Sequence, residues 1–271
     1  KRGAPGEGGS TDIDDDEDDD VEELGMASSQ MLATLPEHVF RELEVFQAEA
    51  DTANAALKKK RAGGGGGTRP KTQRRLRIIG GSASGIRIHS QVGDLTRPMM
   101  EKVRGAVFNA LISRLGGHAL PSDTRWLDLF AGTGSVGIEG LSRGACDAHF
   151  IELDPWVVSN VLEPNLELTS VAAKAAVHQM RAEDFLKKAA ATPRFAGGAF
   201  DFVSVCPPYL LVSYPELFSL LEESPLLHAG SHVIVEYPKE LSHEIPDVLA
   251  GLHKFRDRRY GRTFLAMYGP E

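Results

Sequence analysis

The chain is 271 residues long and 42% hydrophobic, enough to bury a sizeable core in one large domain or two small ones. Its net charge of -8 is unevenly placed: residues 1–67 carry seven Lys and Arg against sixteen Asp and Glu, whereas residues 68–271 carry 23 against 22. Two cysteines, Cys146 and Cys206, exclude a disulfide framework and a zinc ribbon, and no apolar run approaches the ~20 residues of a membrane-spanning helix.

Asp12 to Glu23 is almost all carboxylate, repels itself and has nothing to bury. A disordered, solubilising tail is expected there, with mimicry of a nucleic acid or recruitment of a basic protein as alternatives. Residues 30–61 set Leu32, Leu35, Val39, Phe40, Leu43, Val45 and Phe46 among good helix formers and end in Lys58-Lys59-Lys60-Arg61, the pattern of a marginal amphipathic helix. Gly63 to Gly67 make a hinge. Residues 1–67 therefore read as an acidic, Gly-rich extension, largely disordered. Its opening residues are unlike an Arg- and Ser-rich transit peptide, so a targeting peptide, if there was one, is expected to have been removed. Beyond the hinge, residues 68–109 hold nine basic residues (Arg69, Lys71, Arg74, Arg75, Arg77, Arg87, Arg97, Lys102 and Arg104) against Asp94 and Glu101. That imbalance suits a polyanionic partner, and equally a solvated linker.

A compact domain is expected from near Leu76. Strands are predicted near Arg125–Phe130, Ala148–Glu152, Ala176–Gln179, Phe200–Val205 and His232–Glu236, with helices near Ser135–Arg143, Pro155–Leu168, Ala182–Ala191 and Tyr214–Glu223. Such alternation predicts an α/β fold with a doubly wound, Rossmann-like parallel sheet. A further helix is predicted over Lys239–Leu249. It is followed by His253–Tyr260 and Arg262–Tyr268, an antiparallel pair joined at Gly261.

Chemistry concentrates at the end of the first of these strands, where Trp126-Leu127-Asp128-Leu129-Phe130 runs into Ala131-Gly132-Thr133-Gly134. Glycines let backbone N–H groups approach a ligand, and the following helix points its positive end at it. Gly132 to Gly137 also satisfies the G-x-G-x-x-G pattern of dinucleotide enzymes, and a purely structural turn satisfies it too. Glu152, ending the second strand, suits the ribose of any adenosine ligand. Two features favour S-adenosylmethionine. Asp128 places a carboxylate inside the strand, where it can orient the pocket and interact with a cationic amino-acid end. The fourth strand ends in Cys206-Pro207-Pro208-Tyr209, whose prolines stiffen a loop able to grip a planar base.

With Arg77-Ile78-Ile79-Gly80-Gly81 and Gly85, Thr96-Arg97-Pro98, Val103-Arg104, Phe108-Asn109 and Ile151-Glu152-Leu153-Asp154, residues 76–271 resemble the RsmD family of ribosomal RNA guanine-N2 methyltransferases. The resemblance implies a class I methyltransferase fold: a seven-stranded, mostly parallel sheet with an antiparallel C-terminal strand. It implies S-adenosyl-L-methionine as donor and the exocyclic amine of a guanine in small-subunit ribosomal RNA, free or in an assembling subunit, as acceptor. On this reading residues 68–115 form a basic RNA-binding and cofactor-lid segment, with Arg74, Arg75, Arg77, Arg87, Arg97 and Arg104 on the RNA, and residues 116–271 form the methyltransferase domain. Asp128, Phe130, Ala131, Gly132, Thr133, Gly134, Glu152, Leu153, Arg181 and Ala182 would hold the cofactor. Cys206, Pro207, Pro208 and Tyr209 would meet the base. A monomer with no metal and no membrane partner is expected, and the acidic extension on a bacterial-type enzyme points to a chloroplast.

The chain departs from the family twice. Cys206 stands where the family has Asp or Asn, and a neutral thiol is a weak acceptor for an amine N–H; the carbonyls of Cys206 and Pro207 would then carry much of that task. Arg181 stands near where relatives place an acceptor for the adenine amine, leaving the N–H of Ala182 for the ring and Asp184 as substitute. A silent RNA-binding assembly factor, and an enzyme acting on a protein or small-molecule amine, are the competing readings. His149, His178 and the other histidines lack ligand spacing. Trp126 and Trp156 read as packing residues, and Tyr260, Arg262 and Tyr268 either pack or shape the substrate side.

Overall fold

The computed structural model describes residues 71–91, 98–192, 194–208, 212–261 and 263–271. The readings for residues 1–70, the Arg75 side chain, Thr96, Arg97, Tyr209 and Arg262 lie outside them. A hairpin, β1 (Thr72–Arg77) and β2 (Arg87–Gln91), leads into helix α1 (Glu101–Arg114). There follow β3 (Arg125–Asp128), α2 (Ser135–Ser142), β4 (Asp147–Glu152), α3 (Pro155–Val157), α4 (Glu163–Leu168), β5 (Ala175–Gln179), α5 (Ala182–Ala191), β6 (Phe202–Val205), α6 (Tyr214–Glu223) and β7 (His232–Pro238). The chain closes with β8 (Val248–Leu249), β9 (Leu252–Tyr260) and β10 (Thr263–Gly269).

One eight-stranded sheet in the order β5-β4-β3-β6-β7-β10-β9-β8 forms the centre. Strands β3 to β7 run parallel to one another, whereas β10, β9 and β8 join antiparallel. The order reverses at β3, with β4 on one side and β6 on the other, so the crevice beyond their C-terminal ends is where such a sheet takes a ligand. The eighth strand, absent from the sequence expectation, is the two-residue edge β8.

Side-chain alternation divides the core into two layers. Trp126, Phe150, Phe202 and Ile234 pack under α1, α2 and the hairpin residues Ile78 and Ile88. Leu127, Val203, Val205 and Val235 pack under α5 and α6. The basic segment thus shares its core with the sheet. Helix α1 escaped the sequence reading because Arg104 interrupts its apolar face, yet Arg104 is itself fully buried.

Two predicted helices differ. Pro155–Leu168 is divided by a π turn at Val158–Leu162, where Glu163 N–H reaches back to the carbonyl of Val158. Pro164 has no N–H to continue the ordinary ladder, which accounts for the break. The helix expected over Lys239–Leu249 is a 3₁₀ segment, Lys239–Glu244, followed by extended chain. Ile245 precedes Pro246 and is pushed out of the helical region to φ -93° and ψ 103°.

Candidate active site

The glycine turn is held from below. Asp128 ends β3 only 1% exposed. Its Oδ1 accepts from Ser204 Oγ at 2.8 Å and its Oδ2 from Gly137 N–H at 3.1 Å, in the first turn of α2. Trp126 Nε1 in turn donates to Ser204 Oγ at 3.0 Å, with its ring stacked between Phe108 and Phe202. Asp128 therefore caps a helix from a neighbouring strand, favourably placed at the positive end of α2. Both its oxygens are engaged within the protein, so its influence on a ligand is through field and turn geometry rather than through an exposed carboxylate.

Burial outweighs these two hydrogen bonds and raises the Asp128 carboxyl from 3.8 to about 6. The folded state holds this proton more tightly than the unfolded chain. Its contribution to stability is therefore full below the ordinary carboxylate value and is lost as pH rises through about 6. Asp128→Asn should flatten that fall, gaining ~2–3 kcal/mol relative to the parent between acidic and neutral pH. Urea titrations across this range measure the difference; a constant gap between the two proteins contradicts it.

Gly134 adopts φ +75° at the N-cap of α2, and a Cβ there would lie 2.6 Å from Leu162 Cδ1. Gly137 lets α2 sit directly on Phe150, 2.4 Å from where its own Cβ would be. By contrast, a Cβ built on Gly132 (φ +51°) meets nothing within 4 Å, so the turn opens outward there. Glu152 borders this opening: its Oε2 accepts from Gly132 N–H at 2.8 Å and its Oε1 from Asp154 N–H at 2.9 Å. Burial raises the Glu152 pKa despite these bonds. The next side chain, Leu153, is 59% exposed and offers an apolar platform beside the carboxylate. Ala131 N–H donates to Ile151 O, Thr133 is buried and Phe130 is half-buried, so these residues shape the turn from within. At the N-terminus of α5, Ala182 is buried, Asp184 is exposed and Arg181 turns its guanidinium to Glu183 at 3.3 Å.

Across the crevice β6 delivers Cys206, Pro207 and Pro208; Asp128 and Ser204 are direct partners in the sheet register, which sets the proline loop beside the glycine turn. Cys206 is partly buried, Pro207 buried and Pro208 exposed. Burial, followed by the charges of Glu236 and Asp128, pushes the Cys206 thiol well above its ordinary pKa, so it is neutral. It cannot serve as the strong acceptor that a thiolate would be.

Two buried hubs escaped the sequence reading. Glu139 of α2 accepts from Ile79 N–H and Gly80 N–H, both at 2.8 Å, and pairs with Arg104 and Arg143. Asn165 of α4 accepts from His89 N–H at 2.7 Å and donates to His89 O at 2.9 Å and Thr133 O at 2.8 Å. Together they fasten the basic hairpin to α2 and to the glycine turn. A lone carboxylate in the apolar run of α2 was the one available signal.

Of the basic residues, Arg74, Arg77 and Arg87 are exposed on the hairpin, with Arg77 opposite Arg87. Arg77 also pairs with Glu101 at 3.5 Å. Arg104 is withdrawn from any RNA, since its guanidinium is consumed by Glu139 and by the carbonyls of Met99 and Arg77. His149 and His178 hydrogen-bond to each other at 3.1 Å among Phe185, Phe195 and Phe200. Tyr268 is fully buried and donates to Pro246 O, a packing role.

The chain is 32% identical over 193 residues to YlbH of Bacillus subtilis, covering 71% of this chain and 98% of that protein. It is 32% identical over 196 residues to the ribosomal RNA small subunit methyltransferase D of Escherichia coli, covering 72% and 90%. The solved structure of yhhF from Escherichia coli superposes with a TM-score of 0.57 at 32% identity, covering 72% of this chain and 98% of that one. These neighbours share the class I methyltransferase architecture. The family model described as conserved hypothetical protein 95 matches residues 76–269, the whole of the sheet and the hairpin base, and the chain belongs to that family, the RsmD family.

Proposed function

We propose that this protein transfers a methyl group from S-adenosyl-L-methionine to the exocyclic amine of a guanine in small-subunit ribosomal RNA. The observation that carries this reading is the juxtaposition of an outward-opening glycine turn with a Pro-Pro loop on the adjoining strand. The residues present fit the donor: Glu152 would accept its ribose hydroxyls, Leu153 would pack against the adenine, and Ala182 N–H at the start of α5 would meet the ring. The bound donor supplies an activated sulfonium methyl, so the chain needs no nucleophile of its own. Its task is positioning, with the carbonyls of Cys206 and Pro207 as acceptors beside the target amine and the proline ring excluding water.

The hairpin supports a polyanionic substrate. Arg74, Arg77 and Arg87 stand exposed on one hairpin, and Glu101, paired with Arg77, offsets only part of that positive charge. Purified protein incubated with methyl-labelled donor and undermodified small subunits is expected to label guanine, and absence of label at every assembly state refutes the reading. Retention of RNA without turnover would instead favour the silent assembly factor, which the neutral Cys206 makes the specific competitor. Neutralising Arg74 and Arg87 together should weaken RNA binding and lower the slope of log K against log salt by about one per lost phosphate contact. Binding that is unchanged across a salt titration would remove the hairpin from the interface.

A further inference from the structure

The acceptor that position 206 lacks stands on the neighbouring strand. Strands β6 and β7 run parallel with Val205 opposite Val235, which brings Cys206 and Glu236 side by side at the C-terminal edge. Cys206 and Ile234 belong to the layer packed under α1 and α2, and Ser204 on the same face reaches Asp128. The Cys206 sulfur lies within hydrogen-bonding reach of both the carboxylate and the backbone of Glu236, and the charge of Asp128 also acts on it. Glu236 is only 9% exposed. A thiol is a weak donor to a buried carboxylate, whereas the N–H of a purine amine is a good one. Pro207 and Pro208 have no N–H, so these two positions offer the base carbonyl acceptors and no backbone donor.

We propose that Glu236 is a catalytic acceptor of this site: it takes an N–H hydrogen bond from the target amine in exchange for that of Cys206 and receives the amine proton. The inference rests on the guanine methyltransferase reading above. In the step, the amine nitrogen's lone pair forms the bond to the methyl carbon, and the carbon–sulfur bond of the sulfonium donor breaks with its electron pair left on sulfur. The N–H proton passes to the Glu236 carboxylate. The positive charge of the donor thus ends as a proton on a carboxylate, with no oxidant or further reactant required. Holding that acceptor in place before the reaction also helps to localise the amine lone pair that the ring otherwise draws in.

The test compares the purified full chain with Glu236→Gln and with Glu236→Gln combined with Cys206→Asn, on undermodified small-subunit particles. Glu236→Gln should lower kcat by about 100-fold or more while the KM for the donor changes little, and Asn at 206 should recover at least about tenfold by returning an acceptor. A second readout needs neither donor nor RNA. In a Cys146→Ser background, iodoacetamide should alkylate Cys206 faster once Glu236→Gln has removed the charge that, after burial, does most to keep the thiol protonated. A kcat within about threefold of the parent, or an unchanged alkylation rate, overturns the proposal. Should Glu236→Gln fail to fold, Glu236→Asp replaces it: the charge remains but is drawn back by one methylene, and undiminished kcat there counts against the proposal. Failure of the underlying reading shows separately, as a parent protein that labels no guanine, and would take this inference with it.

Discussion

Replacing Glu139 with Ala is expected to destabilise the fold by about 3–5 kcal/mol, the largest effect of any single substitution considered. Its carboxylate is fully buried, with Oε2 accepting from Ile79 N–H at 2.8 Å and Arg104 Nε at 3.3 Å, and Oε1 from Gly80 N–H at 2.8 Å and Arg143 Nε at 2.7 Å. Removal leaves two backbone donors without this acceptor and a fully buried guanidinium without its counter-charge. Burial already lowers the Arg104 pKa, against the attraction of Glu139, so the cation depends on that neighbour. Denaturant unfolding should show a lower midpoint with an unchanged slope. Pairing Glu139→Leu with Arg104→Met should recover more than half of the loss, because the two charges leave together. A loss below ~1 kcal/mol for the single variant would show that water or rearrangement satisfies these donors. The same contacts fasten the Arg77–Gly81 strand end to the helix that caps the glycine turn, so the variant should also loosen the basic hairpin.

Replacing Glu152 with Ala should weaken binding of the methyl donor by roughly 100-fold, measured by calorimetry with S-adenosylmethionine or its demethylated product. Each hydrogen bond to a charged acceptor contributes ~1.5–3 kcal/mol, and a ribose diol would make two. The side chain also holds Gly132 N–H and Asp154 N–H, so its loss relaxes the turn from both sides. Glu152→Gln keeps the length and one acceptor and should lose only about tenfold. Burial raises the Glu152 pKa, and the ionised form is the better acceptor, so affinity should fall as pH is lowered and should begin to do so above the ordinary carboxylate range. Equal affinity in the parent and the Ala variant would move the ribose away from this strand end.

The same residues show why part of this protein is readable along the chain and part is not. The glycine turn, the Pro-Pro loop and Glu152 impose their requirements locally: a positive φ, a missing N–H, a carboxylate at a strand end. Strand and helix alternation is likewise a matter of neighbouring residues, and the positions of β3 to β7 follow it closely. Where proline interrupts, at Pro164 and Pro246, the local signal was present but the length of the apolar pattern outweighed it. Arg104 misled in the opposite direction. A basic residue in a basic segment reads as surface, and only its partner 35 positions later makes burial tolerable.

The sequence by itself determined the parallel sheet, the nucleotide-type turn, the stiff loop facing it and the family to which the chain belongs. Tertiary structure decided which polar groups are buried and what they serve. Asp128 became the cap of α2 rather than an exposed ligand contact. Glu139 and Asn165 joined residues 59 to 76 positions away, fixing the hairpin to the turn. Cys206 came to rest against Glu236 because two parallel strands align there. A buried carboxylate or thiol takes its protonation state and its role from whichever groups the fold brings within hydrogen-bond distance, and no spacing along the chain encodes that set.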